Sequence, residues 1–341
     1  MTVRTLIVDD SPTMRALLSG LLRRDPDIEV IGTADRASIA RTMIKELDPD
    51  VITLDIEMPE MNGLDFLDKI MRLRPTPVVM VSTLTRAGAD ATLRALELGA
   101  VDCYAKPEGG MADLLCIDDG VLARKVKQAA QSRRRARLES GVRARPQDGF
   151  VWNGRTIAIG ASTGGVEALG AVLSHFPENC PPTVIVQHMP ALFTSCFATR
   201  LDATLAPRVV EMGHDDLLEQ GTVYIAPGGS RHAMVRGAQK PHVRLIEAAP
   251  INGHCPSVDV LFRSVAQCLG NRAVGIILTG MGNDGAQGLL EMRQTGAATI
   301  GQNEATSLIY GMPRVANRLG AVVDELPLDR IAQRALELCS R

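Results

Sequence analysis

Ser162, His188 and Asp284 are the residues of this chain whose types could act in series as nucleophile, base and orienting acid. Ser162 sits in Ile157-Ala158-Ile159-Gly160-Ala161-Ser162-Thr163-Gly164-Gly165, His188 follows Thr183-Val184-Ile185-Val186-Gln187, and Asp284 lies in Thr279-Gly280-Met281-Gly282-Asn283-Asp284-Gly285. A hydroxyl is a weak nucleophile until an imidazole takes its proton, and a carboxylate can hold that imidazole in the right tautomer. The chemistry such a set supports is acyl transfer. Its chain order differs from the Ser, Asp, His of α/β-hydrolases, which is no bar, because the arrangement recurs on unrelated folds.

These side chains need a sheet to position them. Ile157–Ala161 suits a buried strand, the glycine-flanked serine a tight turn, and Val166-Glu167-Ala168-Leu169 the start of a helix. Such a turn lifts Ser162 off the sheet edge beside the first free N–H groups of the helix, which could hold an oxyanion. A dinucleotide-binding loop is a competing reading, but Ser162 stands where its second glycine must be, and Gln187-His188 ends the next strand where an acidic residue belongs. A plain turn is the other alternative. Thr183–Gln187 and Ala273–Leu278 read as further core strands, so the three residues meet if these strands are neighbours. Asp284 also suits an N-cap for the helix beginning near Ala286, a role compatible with catalysis. Of the six histidines, only His188 ends a clear apolar strand. His175 lies in a helix before Pro177, His214 in a polar turn, and His254 in a proline loop, where the His254-Cys255 pair reads as structural or peripheral. His232 and His242 flank a hairpin formed by Met234–Arg236 and Val243–Ile246.

Length and composition set the frame. With 341 residues the chain is expected to hold two or three domains. A net charge of −2 provides no global field for nucleic acid, and no apolar run approaches a membrane span. The N-terminus lacks the apolar core of a signal peptide, so a cytoplasmic protein is expected. Seven cysteines without a Cys-x-x-Cys pair fit reduced thiols better than disulfides or zinc. Fourteen scattered methionines read as core filling.

Residues 1–125 alternate strand and helix patterns five times, with strands expected at Thr5–Val8, Glu29–Gly32, Val51–Leu54, Val78–Val81 and Val101–Ala105. That order makes a parallel sheet with helices on both faces. Asp9, Asp10, Asp55, Ser82 and Lys106 all fall at strand ends, on the edge where ligands bind in such sheets. Carboxylates gathered there repel one another unless a hard cation sits between them, which predicts a magnesium site, with Lys106 available for a bound anion.

Val8-Asp9-Asp10-Ser11, Leu54-Asp55-Ile56-Glu57-Met58-Pro59, Val81-Ser82 and Ala105-Lys106-Pro107 resemble the receiver domain of two-component response regulators. The resemblance implies a flavodoxin-like fold in which Asp55 accepts a phosphoryl group from a histidine kinase. It further implies that Asp9, Asp10, Asp55 and the Glu57 carbonyl hold Mg2+, and that Ser82 and Lys106 sense the phosphate. Cys103 stands where many receivers carry a switching aromatic, with Tyr104 next to it. From 126 to 149 the pattern dissolves into an arginine-rich linker, Arg133-Arg134-Arg135-Ala136-Arg137 followed by Ser140-Gly141 and Pro146, which reads as a solvated joint rather than a nucleic-acid patch.

Residues 150–341 are expected to form a doubly wound α/β domain with an inserted antiparallel hairpin. Gly160–Gly165, Gln187-His188-Met189, Tyr224-Ile225-Ala226-Pro227-Gly228, Pro256–Phe262 and Leu278–Gly285 are similar to the catalytic domain of chemotaxis protein-glutamate methylesterases. The resemblance implies hydrolysis of glutamate methyl esters on methyl-accepting chemoreceptors, with release of methanol, and deamidation of receptor glutamines. Ser162, His188 and Asp284 would be catalytic, supported by Thr163, Gly164 and Met281 around the oxyanion, without a cofactor. It also implies an unphosphorylated receiver that covers the catalytic face and is relieved by phosphorylation. A monomer suffices. Two alternatives carry different expectations: a regulator whose second domain only binds would keep its output without Ser162, and a hydrolase of a small diffusible ester would not prefer methylated receptor.

Overall fold

The computed structural model describes residues 2–83, 85–106, 118, 120–132 and 150–341. The chain divides into two compact units, Met1–Arg137 and Leu138–Arg341. The arginine run, Ser140-Gly141, Pro146 and Pro107 lie outside the described residues.

The first unit holds β1 (Val3–Val8), α1 (Pro12–Leu22), β2 (Ile28–Ala34), α2 (Ala37–Leu47), β3 (Val51–Asp55), α3 (Gly63–Leu73), β4 (Val78–Ser82), α4 (Arg86–Glu97), β5 (Asp102–Ala105) and α5 (Val121–Gln131). Its five strands are all parallel, in the order β2-β1-β3-β4-β5, the flavodoxin-like order. Strands β3 and β4 are buried along their whole length, as parallel strands covered on both faces must be, which is why they read as unbroken apolar runs. Helix α5 continues to Gln131 with Val126 and Ala129 buried, so ordered structure of the first unit runs past residue 125, where the linker was expected to begin. Val126 and Ala129 keep the helical apolar spacing, but the polar residues between them and the arginines beyond made that short stripe read as solvated.

The second unit contains β6 (Thr156–Ala161), α6 (Gly165–Leu173), β7 (Thr183–Gln187), α7 (Ala191–Asp202), β8 (Arg208–Glu211), β9 (Thr222–Ile225), β10 (Arg231–Arg236), β11 (His242–Glu247), α8 (Val258–Leu269), β12 (Ala273–Ile277), α9 (Ala286–Gln294), β13 (Ala298–Gln302), α10 (Met312–Arg318), β14 (Asp324–Leu326) and α11 (Leu328–Cys339). Seven of the strands make one parallel sheet in the order β14-β13-β12-β6-β7-β9-β8. The hairpin is antiparallel as expected, but it forms a two-stranded sheet of its own, β10-β11, beside the parallel one. Val258, Leu261, Phe262 and Val265 on α8 are fully buried in a core shared with Val235 and Val243 of the hairpin and Ala158 and Ile277 of the sheet. Burial of each such side chain stabilises the fold by about 1.5–3 kcal/mol. No helix among the described residues is long and apolar enough to cross a membrane.

Candidate active site and phosphoacceptor site

Strands β12, β6 and β7 are consecutive neighbours, in the register Ile277↔Gly160 and Ala161↔Gln187. Adjacent strands lie about 4.8 Å apart, so the residues that leave their C-terminal ends are delivered side by side. The Ser162 N–H donates to the Thr279 carbonyl at 3.0 Å and the His188 N–H to the Ala161 carbonyl at 3.1 Å. Gln187, which the sequence marked only as a strand end, ties the two turns together. Its Nε2 donates to the Ser162 carbonyl at 2.9 Å and to the His188 carbonyl at 3.3 Å.

His188 and Asp284 are joined directly, Nε2 to Oδ2 at 2.9 Å, with the two side chains 7% and 1% exposed. A carboxylate can only accept, so the ring proton sits on Nε2 and Nδ1 carries the lone pair. That Nδ1 is buried and makes no hydrogen bond. It is the proton acceptor the arrangement leaves available, on the strand neighbouring that of the half-buried Ser162.

Asp284 does not cap the helix that follows it. The N-cap of α9 is Gly285, and the Asp284 carboxylate turns instead to the N-terminus of α8. Its Oδ1 accepts from Ser257 Oγ at 2.7 Å, the Asp259 N–H at 3.2 Å and Asn252 Nδ2 at 3.3 Å, while Oδ2 accepts from the Val258 N–H at 2.7 Å as well as from His188. Although burial opposes ionisation, His188, Ser257 and the Val258 N–H together hold the carboxyl well below the usual carboxylate range. The positive end of the α8 dipole favours the same charge. Gly160 permits the approach of α8: a side chain there would meet Val258 Cγ1 at 2.2 Å.

The Ser162 N–H is committed to Thr279, and the Gly165 N–H donates to the Ser162 carbonyl at 2.7 Å. Thr163 and Gly164 follow Ser162 at the entry to α6, where Gly164 adopts φ 79°, and Met281 lies in the loop after β12. Thr279 braces this side: its N–H donates to Gln302 Oε1 at 2.7 Å and its hydroxyl to the Thr163 carbonyl at 3.0 Å. His254, expected to be structural or peripheral, stacks on His188 with ring centroids 3.7 Å apart and planes 7° from parallel. The roles of Asn252, Ser257, Thr279 and Gln302 depend on contacts across loops and could not be read from the sequence, although Ser257, the N-cap of α8, and Thr279 stand in stretches that carried the resemblance.

In the first unit, Asp9, Asp10 and Asp55 place carboxylate oxygens within 4.8 Å of one another. Lys106 Nζ lies 2.8 Å from Asp55 and 3.1 Å from Asp9. Burial pushes the Asp55 carboxyl up to about 6, with Asp9 repelling its charge and Lys106 offsetting part of the rise. Asp9 is raised by the same burial, which Lys106, facing its Oδ2, partly offsets. Three clustered carboxylates, two of them raised by burial, fit a hard divalent cation. The Glu57 N–H reaches Asp55 Oδ1 at 3.4 Å. Ser82 lies at the end of β4, its hydroxyl turned to the Gly88 carbonyl at 3.2 Å. Cys103 and Tyr104 are both buried, the Cys103 thiol pushed up to about 12 by that burial.

Comparisons with known proteins agree with this geometry. Residues 157–335 match the family model for CheB methylesterase and residues 5–117 that for the response regulator receiver domain. A protein-glutamate methylesterase/protein-glutamine glutaminase of Agrobacterium fabrum is 56% identical, over 98% of this chain and 96% of its own. One of Caulobacter vibrioides is 55% identical, over 99% and 98%. The CheB methylesterase catalytic domain of Thermotoga maritima, a crystal structure, aligns over 54% of this chain and 98% of its own at 34% identity and a TM-score of 0.53.

Proposed function

The chain belongs to the CheB methylesterase family, with a response regulator receiver domain in front, and from that premise we propose that it hydrolyses glutamate methyl esters on chemoreceptors by serine catalysis. The observation that carries the mechanism is the His188–Asp284 bond at 2.9 Å beside a partnerless Nδ1. Nδ1 takes the Ser162 proton as Oγ attacks the ester carbonyl carbon. The tetrahedral oxyanion is held by backbone N–H groups at Thr163, Gly164 and Met281. Asp284 stabilises the imidazolium, which gives its proton to the departing methoxy oxygen. Methanol leaves and the receptor glutamyl group stays on Ser162. Water, deprotonated by the same Nδ1, then attacks the acyl carbon; the acyl–Oγ bond breaks, the imidazolium returns its proton to Ser162 Oγ, and the glutamate is freed. Deamidation of a receptor glutamine runs identically, with ammonia as the leaving group.

The receiver supplies control. A histidine kinase or small phosphodonor delivers a phosphoryl group to Asp55, and phosphorylation raises the esterase rate. Asp9, Asp10, Asp55 and the Glu57 carbonyl would hold Mg2+, which when bound neutralises charge on the incoming phosphoryl group. Lys106, already between Asp55 and Asp9, is placed to pair with the phosphate, and Ser82 to turn its hydroxyl toward it. The reaction takes place in the cytoplasm, where receptor signalling segments lie, and a monomer is sufficient for it.

The test is methanol release from membranes carrying methylated receptor. The full chain with phosphodonor and Mg2+ should release methanol faster than without them, Asp55→Asn should not respond, and Ser162→Ala should release none. Undiminished release by Ser162→Ala would refute the reading.

A further inference from the structure

His232 is fully buried on β10, opposite Ile246 of β11, yet both of its ring nitrogens are engaged with the loop that follows the hairpin. Nδ1 accepts from the Ser257 N–H at 3.0 Å, which fixes the ring proton on Nε2, and Nε2 donates to the Ala249 carbonyl at 3.1 Å. Ala249 begins that loop and Ser257 ends it at the N-terminus of α8. A single imidazole thus closes the 249–257 loop at both ends.

What the loop carries gives this closure its meaning. Asn252, in a left-handed conformation with φ 53°, donates to Asp284 Oδ1 at 3.3 Å and to Asp259 Oδ2 at 2.9 Å. His254 stacks on His188 at 3.7 Å, and its backbone is paired reciprocally with Ile251 at 3.0 Å in both directions. Ser257 donates its hydroxyl to Asp284 Oδ1 at 2.7 Å. Three contacts to the catalytic pair therefore hang from a loop whose ends are set by one ring outside the site. Val235, three residues along β10, donates its N–H to Ser264 Oγ of α8 at 2.9 Å, which ties the hairpin to the helix that receives Asp284.

We propose that His232 is a positioning residue for the reaction: it holds the 249–257 loop so that Asp284 presents Oδ2 to His188 and leaves Nδ1 of His188 as the base. The inference rests on the serine-catalysis reading above. A histidine that merely filled the core would be replaceable by any side chain of its bulk. A positioning role instead requires an acceptor at the Nδ1 location, because the Ser257 N–H would otherwise be buried without a partner and the α8 N-terminus would shift under Asp284.

The deciding comparison is His232→Asn against His232→Gln in the full chain, activated by a small phosphodonor and Mg2+ and assayed by methanol release from methylated receptor membranes. An Asn carbonyl reaches the Nδ1 location, whereas a Gln amide extends to that of Nε2. His232→Asn should keep kcat within about threefold of the unsubstituted protein, and His232→Gln should lose about ten- to a hundredfold in kcat, with KM moved less than about threefold. Equal kcat for the two variants, or a loss confined to KM, would overturn the inference. Histidine 15N spectra of the unsubstituted protein provide a reading independent of variant folding: His232 should be the Nε2–H tautomer, and an Nδ1–H tautomer would overturn it. Ser162→Ala in the same assay separates the two levels. If it still turns over, the serine reading fails; if it is dead while His232→Gln is unimpaired, only the positioning role fails.

Discussion

Asp284→Asn is the substitution whose outcome the structure fixes most tightly. The carboxylate accepts five hydrogen bonds, three at Oδ1 and two at Oδ2. An amide of the same shape brings two donors of its own, and in either orientation they face donors. If the NH2 takes the Oδ1 place it confronts the Asp259 N–H, Asn252 Nδ2 and the Ser257 hydroxyl. If it takes the Oδ2 place it confronts the Val258 N–H, and His188 avoids a clash only by moving its proton from Nε2 to Nδ1. That second arrangement removes the lone pair that should accept the Ser162 proton. Two buried donors left without acceptors destabilise the catalytic unit by about 2–5 kcal/mol. The wrong tautomer costs about 10⁴ in kcat, the loss that follows the corresponding change in a serine protease. The assay pairs methanol release with thermal unfolding. A variant that retained more than about a tenth of the normal kcat would refute the assignment of Nδ1 as base and Asp284 as its orienter.

Other consequences follow from the same contacts. Because the Asp284 pKa is lowered by folding, its contribution to stability is complete above the unfolded value of about 4 and fades as pH falls through the folded value; Asp284→Asn should lose stability less steeply than the unsubstituted protein between pH 5 and pH 3 in chemical denaturation, and an equal slope would contradict this. Asp55 acts in the opposite sense: its carboxyl is raised to about 6, so it lowers stability as pH rises from about 4 to about 6, and Asp55→Asn should stabilise the receiver unit at pH 7 without Mg2+ by about 3 kcal/mol, read as a higher denaturant midpoint of that unit. Gly280→Ala would set a methyl 2.7 Å from Ser162 Cβ and 2.5 Å from Met312 Sδ; displacement of Ser162 should lower kcat about tenfold or more, and normal kcat in a folded variant would show that the contact is relieved elsewhere.

The sequence revealed whatever rests on contiguous residues. Ile157–Ala161, Thr183–Gln187 and Ala273–Ile277 are runs of strand length with apolar centres, and the residues that follow them are brought to one edge because the three strands are parallel neighbours. Asp9, Asp55 and Lys106 were legible for the same reason. What escaped notice depends on packing between distant segments. Asp284 looked like a cap for its own helix, and nothing in Asn283-Asp284-Gly285 shows that Ser257, Val258 and Asp259 would take its charge instead. Strands β8, β13 and β14, only three to five residues long, fell below what alternation can distinguish. Lys127, next to the arginine run in sequence, made the end of α5 look like linker, although it pairs with Asp25 at 2.6 Å. His254 and His232 are single residues in a loop and on a hairpin, and no local pattern links either to His188.

The proposed reaction depends on a covalent step at the Ser162 hydroxyl. Acid-quenched mixtures of the activated full chain with a methyl-esterified receptor peptide, digested and weighed by mass spectrometry, should carry the peptide's acyl group on Ser162 at early times. Methanol should appear no later than that adduct. Steady turnover with no acyl group on Ser162, and the same turnover in Ser162→Ala, would contradict it.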